Sequence, residues 1–446
     1  MSNSGTDKLK KSLKQRIIEQ AKQRRQSPDG ERSAGLVNSA EPRISEKFTR
    51  FDLQPGYQQV KMMRASGERW GIDNPFFKLH EGIAGATTVI GGRTCINFAS
   101  YNYLNLSHHP EVLEAATEAM QRYGTSVSAS RAVSGERPIH EAFERELAAA
   151  YDVEDAVVFV SGHATNVSTI GHLLGPKDLI LHDEYAHNSL LIGAQLSGAR
   201  RMSFPHNDAG ALEKLLSRHR EQFERVLVVI EGLYSMDGDI PDLARFVAIK
   251  QHYHAWLMVD EAHSFGTLGS SGKGIREHCE VASRDVDIWM GTLSKTLSGC
   301  GGYIAGCHAL VENLRYLAPG FLYSVGLPPQ NAAASLTSLR IMAREPQRIE
   351  RLQHNSRYFR EQAINAGFNV GKSIGVAVIP IITGSSITAV KLSEALLRRD
   401  INVQPILYPA VPERSARLRF FINSEHTEAQ IDTTLSVLQQ EWAQLA

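Results

Sequence analysis

The chain has 446 residues, of which 42% are hydrophobic, and its 48 basic side chains are balanced by 48 acidic ones. This length predicts two or three lobes with ample core, and the zero net charge gives no reason to expect nucleic acid or an anionic membrane as partner. The four cysteines form no paired motif, the N-terminus has no apolar signal segment, and no apolar run approaches the roughly 20 residues that span a bilayer. We therefore expect a cytoplasmic protein that associates with membranes peripherally at most, and we identify no metal site.

Residues 1–46 differ from the rest of the chain because they are polar, basic and nearly free of aromatic side chains. Leu9, Leu13, Ile17 and Ala21 recur at helical spacing, which predicts one short amphipathic helix. Its basic side chains are Lys10, Lys11, Lys14, Arg16, Lys22, Arg24 and Arg25. Three interpretations stay open: a solvated extension, docking to an acidic protein, and docking to a membrane surface.

From Phe51 onward, strand and helix signals alternate along the chain. Residues 94–106 (TCINFASYNYLNL) predict a strand and then a turn, in which Asn102 is either a turn residue or a polar group that faces a ligand. Helical periodicity marks residues 110–123 and 137–151. Five short apolar runs follow, at residues 156–160, 179–182, 225–230, 256–259 and 288–290. Because helical segments separate these runs, we predict an α/β fold with a mainly parallel sheet.

Polar or small residues follow each apolar run, at the edge where open α/β sheets bind ligands. Gly162, after the first run, permits a close backbone approach, and the helix that begins there has free amides for a phosphate. His187 follows the second run. Ser235 follows the third, within an acidic turn at residues 231–239 (EGLYSMDGD). This repetition predicts a ligand site at one edge of the sheet.

The two remaining strand ends supply an amine and a carboxylate. Residues 290–302 (MGTLSKTLSGCGG) place Lys295 where a buried strand breaks into a tight loop, and a lysine there condenses with an aldehyde once burial lowers its pKa. Residues 256–266 (WLMVDEAHSFG) place Asp260 at a strand end, where the protonated ring nitrogen of pyridoxal phosphate is a suitable partner. The alternatives are an ordinary surface turn for the lysine and a helix cap for the aspartate.

The VDEAH sequence also resembles the acidic box of the DEAH helicases. Such enzymes require an upstream phosphate loop of the form GxxxxGK[ST]. The sequence contains no such loop. We therefore discard the helicase interpretation.

The sequence resembles the α-oxoamine synthases, pyridoxal-phosphate enzymes of fold type I, in the order of its motifs NYLNL, SGHATN, HNS, EGLYSMDGD, DEAHSFG, GTLSK, GGY and YSVGLPP. The resemblance extends from about Phe51 to the C-terminus. It implies a large domain with a mainly parallel sheet and a smaller C-terminal α+β domain. The expected boundaries are 1–50 for the basic extension and linker, 51–115 for an N-terminal segment, 116–335 for the large cofactor-binding domain and 336–446 for the small domain.

The resemblance also implies a role for each candidate residue. Lys295 would hold the cofactor as a Schiff base and later remove the Cα proton, Asp260 would pair with the ring nitrogen, and His187 would stack on the ring. The amides of Gly162 and His163 and the hydroxyl of Thr292 would bind the phosphate. Ser235 and His263 would contact the ring hydroxyl. Arg417, with Arg419 as the second candidate, would bind the amino-acid carboxylate. Asn102 is a further candidate for a substrate contact.

Three positions depart from the family pattern. His163 replaces a common tyrosine or phenylalanine, and Asn105 replaces a usual glycine. Val325 stands where a threonine of the partner subunit often binds the phosphate, so we expect Ser324 to be the substitute for this contact. The family pattern implies a homodimer.

The activity implied is a decarboxylative Claisen condensation of glycine, alanine or serine with an acyl thioester of acyl carrier protein or coenzyme A, giving an α-aminoketone. Three alternatives stay open: a sphingolipid enzyme similar to serine palmitoyltransferase, a fold type I aminotransferase, and a cofactor-free subunit of a heterodimer. Such a subunit would lack the lysine, whereas Lys295 is present.

Overall fold

The computed structural model describes residues 44–69, 71 and 73–445, so the amphipathic helix predicted near residues 9–21 lies outside the described residues. The chain divides into two units, Met1–Ser66 and Gly67–Ala446. The 3-10 helices Glu46–Phe48 and Phe51–Leu53 lie in the first unit, and helix α1 (Pro55–Arg69), which contains no buried residue, begins there. The second unit contains the sheets and every candidate site residue.

The strands of the second unit form three sheets. They are β1 (Thr87–Ile90), β2 (Arg93–Asn97), β3 (Asp155–Phe159), β4 (Leu179–Asp183), β5 (Arg200–Phe204), β6 (Val226–Glu231), β7 (Trp256–Asp260), β8 (Ile288–Thr292), β9 (Gly302–Gly306), β10 (Val378–Ile382), β11 (Ile401–Asn402), β12 (Gln404–Ile406) and β13 (Arg417–Phe421).

Helices connect most of these strands. They are α2 (Pro110–Tyr123), α3 (Pro138–Tyr151), α4 (Gly162–Leu173), α5 (Asn188–Ser197), α6 (Ala209–His219), α7 (Leu243–His252), α8 (Ile275–His278), α9 (His308–Leu317), α10 (Pro319–Leu322), α11 (Pro329–Arg344), α12 (Gln347–Asn365), α13 (Ser386–Arg398) and α14 (Glu428–Leu445). Helices α2 and α3 confirm the helices predicted from periodicity. Over the described residues, no helix combines the length and the apolar character that crossing a membrane requires.

The large sheet has seven strands in the order β3-β9-β8-β7-β6-β4-β5. Strands β4 to β8 run parallel to one another, whereas β9 is antiparallel to both β3 and β8. The five apolar runs of the sequence are β3, β4, β6, β7 and β8, so the predicted mainly parallel sheet is confirmed. Strands β5 and β9 were not predicted.

Hydrophobic side chains cover both faces of this sheet because successive residues of a strand point to opposite sides. In β6, Val226, Val228 and Ile230 belong to one core cluster, and Leu227 and Val229 belong to the other. The strand is therefore buried on both faces, as its continuous apolar sequence predicts. Burial of each such side chain contributes roughly 1.5–3 kcal/mol, which anchors the strand ends that carry the site.

Two three-stranded sheets lie outside the large sheet, in the orders β1-β2-β11 and β10-β13-β12. Strand β11 pairs in parallel with β2, so the region before residue 115 shares a sheet with the C-terminal region. The pairing is reinforced by Asn402, which donates through Nδ2 to Asn97 Oδ1 at 2.9 Å. All five residues of β13 are buried, and Arg417 and Arg419 lie two residues apart on one of its faces.

Candidate active site

The C-terminal ends of four neighbouring strands bring polar residues to one edge of the large sheet. Asp183 ends β4, Glu231 ends β6, Asp260 ends β7 and Thr292 ends β8. Asp260 is paired in register with Glu231 on one side and with Met290 on the other. This is the sheet edge at which the sequence predicts a ligand site.

Lys295 lies three residues after the end of β8, in the loop that leads to β9. Burial lowers the pKa of its amine from 10.5 to about 8, although the nearby carboxyl groups of Asp260 and Glu231 act in the opposite direction. The Nζ atom lies 5.6 Å from the centre of the Tyr101 ring. An amine with this pKa is neutral in a large fraction of molecules near pH 8, which is the form that attacks an aldehyde.

Asp260 is buried, and hydrogen bonds hold both of its carboxyl oxygens. Its Oδ1 accepts from the amide of Ala262, and its Oδ2 accepts from Asn166 Nδ2, both at 2.9 Å. His263 is also buried, and its Nδ1 lies 2.7 Å from Tyr103 Oη. Burial lowers the pKa of His263 well below 6.5, so its ring is neutral near pH 7.

The N-terminus of α4 forms a narrow space against the end of β8. Ser161 caps the helix, and its Oγ accepts from Ala164 N. A Cβ atom at position 162 would lie only 2.7 Å from Thr292 Oγ1, so Gly162 is the residue that keeps this space open. Exposed His163 follows it. Free helix amides beside a threonine hydroxyl suit a phosphate group.

His187 and Ser235 come from the loops that follow β4 and β6. The His187 amide donates to Glu231 Oε1 at 2.7 Å, while the imidazole is exposed and lies 6.5 Å from the ring of His163. The protein atoms that surround part of the ring desolvate it, and this is the main reason why the pKa of His187 is lowered. The Ser235 carbonyl accepts a hydrogen bond from Arg419 Nη1 at 3.0 Å, which joins this loop to β13.

The two arginines of β13 have different surroundings. Arg417 forms an ion pair with Asp237 at 2.8 Å and donates further to the carbonyls of Ser415 and Met236. Arg419 lies over the Phe421 ring at 4.6 Å, and its Nε is buried without a hydrogen-bond partner among the residues that the structure describes.

Arg419 also acts electrostatically on the site. After burial, which is the largest cause, its positive charge contributes to the lowered pKa of Lys295, His187 and His263. Arg419 is therefore the arginine whose charge acts on Lys295 and whose Nε lacks a partner among the described residues.

Two other candidates lie in different settings. Asn102 is buried, and its Oδ1 accepts from the amides of Leu106 and Ser107, while its Nδ2 donates to Ser107 Oγ and the Ala84 carbonyl. These contacts stabilise the turn, and the neighbouring Tyr101 is the side chain that lies near Lys295. Ser324 lines a small cavity with residues that include Arg131, Phe159 and Val160.

Three residues near Lys295 and Asp260 were missed by the sequence interpretation: Tyr101, Asn166 and Glu231. Asn166 stands one helical turn after Gly162 in SGHATN, and Glu231 opens EGLYSMDGD, so both lay inside motifs already noted. Their signal was a polar residue next to a buried strand end. Tyr101 gave no comparable signal, because an aromatic residue beside a strand is usually part of the core.

Comparison with known proteins agrees with this geometry. Residues 93–438 match the family described as Aminotransferase class I and II. The 8-amino-7-oxononanoate synthase of Symbiobacterium thermophilum is 39% identical over 349 residues, which cover 78% of this chain and 88% of that protein. Serine palmitoyltransferase 3 of Caenorhabditis elegans is 37% identical over 360 residues, with coverages of 77% and 70%.

A solved structure of the S. paucimobilis serine palmitoyltransferase with bound PLP and myriocin superposes with a TM-score of 0.85 at 30% identity, covering 88% of this chain and 99% of that one. The chain belongs to the α-oxoamine synthase family. It is a pyridoxal-phosphate-dependent acyltransferase with the fold type I architecture.

The residues of the site suit each part of pyridoxal phosphate, independently of the comparison with other proteins. Gly162 and Thr292 form a space beside a helix N-terminus that would hold the phosphate, Asp260 offers a carboxylate oriented by hydrogen bonds for the ring nitrogen, and Lys295 offers an amine of lowered pKa for the aldehyde. The exposed imidazole of His187 is available to lie against the ring.

Proposed function

We propose that this enzyme condenses a small amino acid with an acyl thioester, with loss of CO2 and a thiol, to give an α-aminoketone. The observation that carries the proposal is the convergence of an amine of pKa about 8, a hydrogen-bonded carboxylate and a partly unpaired guanidinium at one sheet edge. The similarity over more than three quarters of the chain to proteins named as synthases and acyltransferases supports condensation rather than amino transfer.

Each residue of the site has a separate role in the proposed reaction. When bound, pyridoxal phosphate supplies a ring that takes up electrons from the amino-acid Cα. Asp260 would hold a proton on the ring nitrogen, and the neutral amine of Lys295 would take the proton from the amino-acid Cα. His263 and Ser235 lie on the loops after β7 and β6, from which they would contact the ring hydroxyl. Gly162, His163 and Thr292 would hold the phosphate.

We assign the amino-acid carboxylate to Arg419 rather than to Arg417, the first candidate from the sequence. Arg417 already has a carboxylate partner in Asp237 and two carbonyl acceptors. Arg419 has a buried Nε without a partner among the described residues, and its positive charge helps to lower the pKa of Lys295. A planar guanidinium in this position suits a carboxylate. The contacts of Asn102 favour a turn role, so we leave it out of the substrate site.

We also propose a homodimer. The segment from Tyr316 to Val325 exposes four large hydrophobic side chains, Tyr316, Leu317, Tyr323 and Val325, and Tyr323 is 82% exposed. Exposed apolar residues this close together commonly mark a protein interface. Ser324 lies in this segment, so a phosphate contact by Ser324 would be made across the interface. Light scattering of the wild type and of Tyr323→Asp tests the interface, and an unchanged mass for the variant would contradict it.

The acyl donor is either an acyl carrier protein or a coenzyme A ester, and we propose the carrier protein. The support is the basic segment at residues 1–46, because carrier proteins are commonly acidic and opposite charges steer association. Removing residues 1–46 should raise the KM for a carrier-protein thioester and leave the KM for coenzyme A esters unchanged. Equal effects on both donors, or none, would contradict the assignment.

Mass spectrometry of the products tests the proposed function. Purified enzyme would receive glycine, alanine or serine with acyl-coenzyme A and acyl carrier protein, and Lys295→Ala would serve as the inactive control. We expect an α-aminoketone from at least one pair. A keto acid formed from the amino acid, without loss of the acyl thioester, would show an aminotransferase instead.

One alternative has specific support. The solved serine palmitoyltransferase covers 88% of this chain with a TM-score of 0.85, so a long-chain acyl donor with serine is the second candidate. In the same experiment, it predicts that serine with a C16 thioester gives the highest kcat/KM. Preference for glycine or alanine would exclude it.

A further inference from the structure

A chain of hydrogen bonds connects Asp260 to the imidazole of His187 beneath the site. Asn166 Nδ2 donates to Asp260 Oδ2 and to Ser189 Oγ, each at 2.9 Å, and Ser189 Oγ lies 2.7 Å from His187 Nδ1. The chain joins β7, α4 and the start of α5. Asn166 and Ser189 are each 1% exposed, and Asp260 is 4% exposed, so water does not compete for the two bonds that Asn166 donates.

The direction of each bond follows from the carboxylate at its start. A carboxylate only accepts, so Asn166 must present its NH2 group, with both hydrogens, to Asp260 and Ser189. The opposite orientation of the amide would place its oxygen against the carboxylate. Because Ser189 Oγ accepts from Asn166, its own hydrogen is free to point to His187 Nδ1. The Ser189 amide also donates to His187 Nδ1, at 3.3 Å.

We infer that Asn166 and Ser189 are positioning residues that hold His187 as the neutral tautomer with its proton on Nε2. Two donors meet at Nδ1, which leaves no place there for a proton. The inference deepens the proposed function, on which it rests, because that function requires Asp260 to be a carboxylate.

The tautomer has a chemical consequence for the site. A neutral imidazole can lie against a protonated pyridine ring, whereas an imidazolium would place a second positive charge against it. The charged groups around His187 agree with a neutral ring. Burial is the main cause of its lowered pKa, and Lys295, His163 and Arg419 act in the same direction, while Asp260 opposes them. Through the hydrogen-bond chain, the Asp260 carboxylate that would keep a proton on the ring nitrogen also keeps a proton off His187 Nδ1.

The test is 15N NMR of histidine-labelled, full-length protein at pH 7.5, with and without pyridoxal phosphate. His187→Gln assigns the His187 signals by their loss. We expect the wild type to show His187 Nδ1 without a proton and Nε2 with one, in both forms of the protein. A proton on Nδ1 would overturn the inference, because it would mean that Asn166 has the opposite orientation and that Ser189 accepts from the imidazole.

Variants of two serines on α5 separate positioning from general stability. Ser189→Ala should move both His187 ring nitrogens toward the averaged shifts of two exchanging tautomers, and Ser189→Thr, which keeps the hydroxyl, should restore the wild-type shifts. Ser197→Ala is the matched control, because Ser197 is buried on the same helix but its Oγ bonds only to backbone groups: it donates to the Ala194 carbonyl at 2.8 Å and accepts from the Ala199 amide at 3.1 Å. Unchanged shifts in Ser189→Ala would contradict the inference.

The measurements distinguish a failure of this inference from a failure of the proposed function. Failure of the protein to bind pyridoxal phosphate, with the expected tautomer present, would count against the proposed function alone. A normal visible absorbance band of the bound cofactor, with a proton on Nδ1, would count against the hydrogen-bond chain alone.

Discussion

Glu231 and Asp260 occupy paired positions at the ends of the adjacent parallel strands β6 and β7. Each residue is only 4% exposed. Burial, followed by the charge of Asp260, raises the pKa of Glu231 well above its ordinary value. Glu231 is therefore protonated more readily than an ordinary glutamate, which reduces the negative charge beside Asp260.

This pairing predicts how stability depends on pH in a Glu231→Gln variant. A carboxyl group with a raised pKa in the folded state costs stability increasingly as pH rises above its ordinary pKa of about 4.3. The amide removes this cost and still accepts from the His187 amide. We expect Glu231→Gln to have a higher Tm than the wild type at pH 7.5, with the difference narrowing toward pH 4. A lower Tm at pH 7.5 would contradict the raised pKa of Glu231.

The lowered pKa of Lys295 predicts the pH dependence of cofactor uptake. Only the neutral amine reacts with the aldehyde, and its fraction rises as pH passes the pKa of about 8. The rate at which the visible absorbance band appears after mixing cofactor-free protein with pyridoxal phosphate should increase from pH 6.5 and level off above about pH 9. Lys295→Ala should show no such band. A rate that still rises tenfold per pH unit above pH 9 would indicate an ordinary lysine.

The space at the start of α4 predicts a steric effect of Gly162→Ala. The added methyl group would lie 2.7 Å from Thr292 Oγ1, and overpacking of this kind costs about 1–3 kcal/mol. We expect the cofactor Kd to rise by roughly 5- to 150-fold, because about 1.4 kcal/mol corresponds to a factor of ten.

Gly171→Ala is the matched control for this prediction. It lies on the same helix, but the nearest atom to its Cβ would be at 3.7 Å, an ordinary contact. Equilibrium titration followed by absorbance measures both variants. Equal Kd values for the two would contradict the assignment of this space to the phosphate.

The different surroundings of the two β13 arginines predict different effects on kinetics and stability. Arg419→Ala should raise the amino-acid KM by roughly 10- to 150-fold, because a hydrogen bond to a charged group contributes about 1.5–3 kcal/mol. Arg417→Ala should lower the unfolding free energy by about 1–3 kcal/mol, because it leaves half-buried Asp237 without its partner. Steady-state kinetics and urea unfolding separate the two effects. If Arg417→Lys, which keeps the charge, raises KM more than Arg419→Lys, the assignment must be reversed.

The sequence predicted the large sheet well because its strands are buried on both faces and have continuous apolar runs. The two missed strands lack that signal for different reasons. Strand β5 (RRMSF) lies at the sheet edge with three of its five residues exposed. Strand β9 (GYIAG) is fully buried but contains two glycines, which predicted a loop. A Cβ atom at Gly302 would lie 2.5 Å from Thr165 Oγ1, so close packing against α4 explains the glycine there.

The site was predictable where a motif marked a strand end, as for Lys295, Asp260 and Gly162. The role of a residue was not predictable where it depends on which side chain or backbone group lies next to it in the folded protein. The choice between Arg417 and Arg419 depends on Asp237, which lies 180 residues earlier in the chain. The turn role of Asn102 likewise depends on a complete set of local hydrogen bonds, which composition does not reveal.

The most direct test of the proposed condensation is the fate of the amino-acid carboxylate. The enzyme would be supplied with 1-13C-labelled glycine, alanine or serine and its acyl thioester, and labelled CO2, free thiol and product would be quantified together. We predict one labelled CO2 for each thiol released, with no label in the product. Label retained in the product, or CO2 absent while the amino acid is consumed, would contradict the condensation.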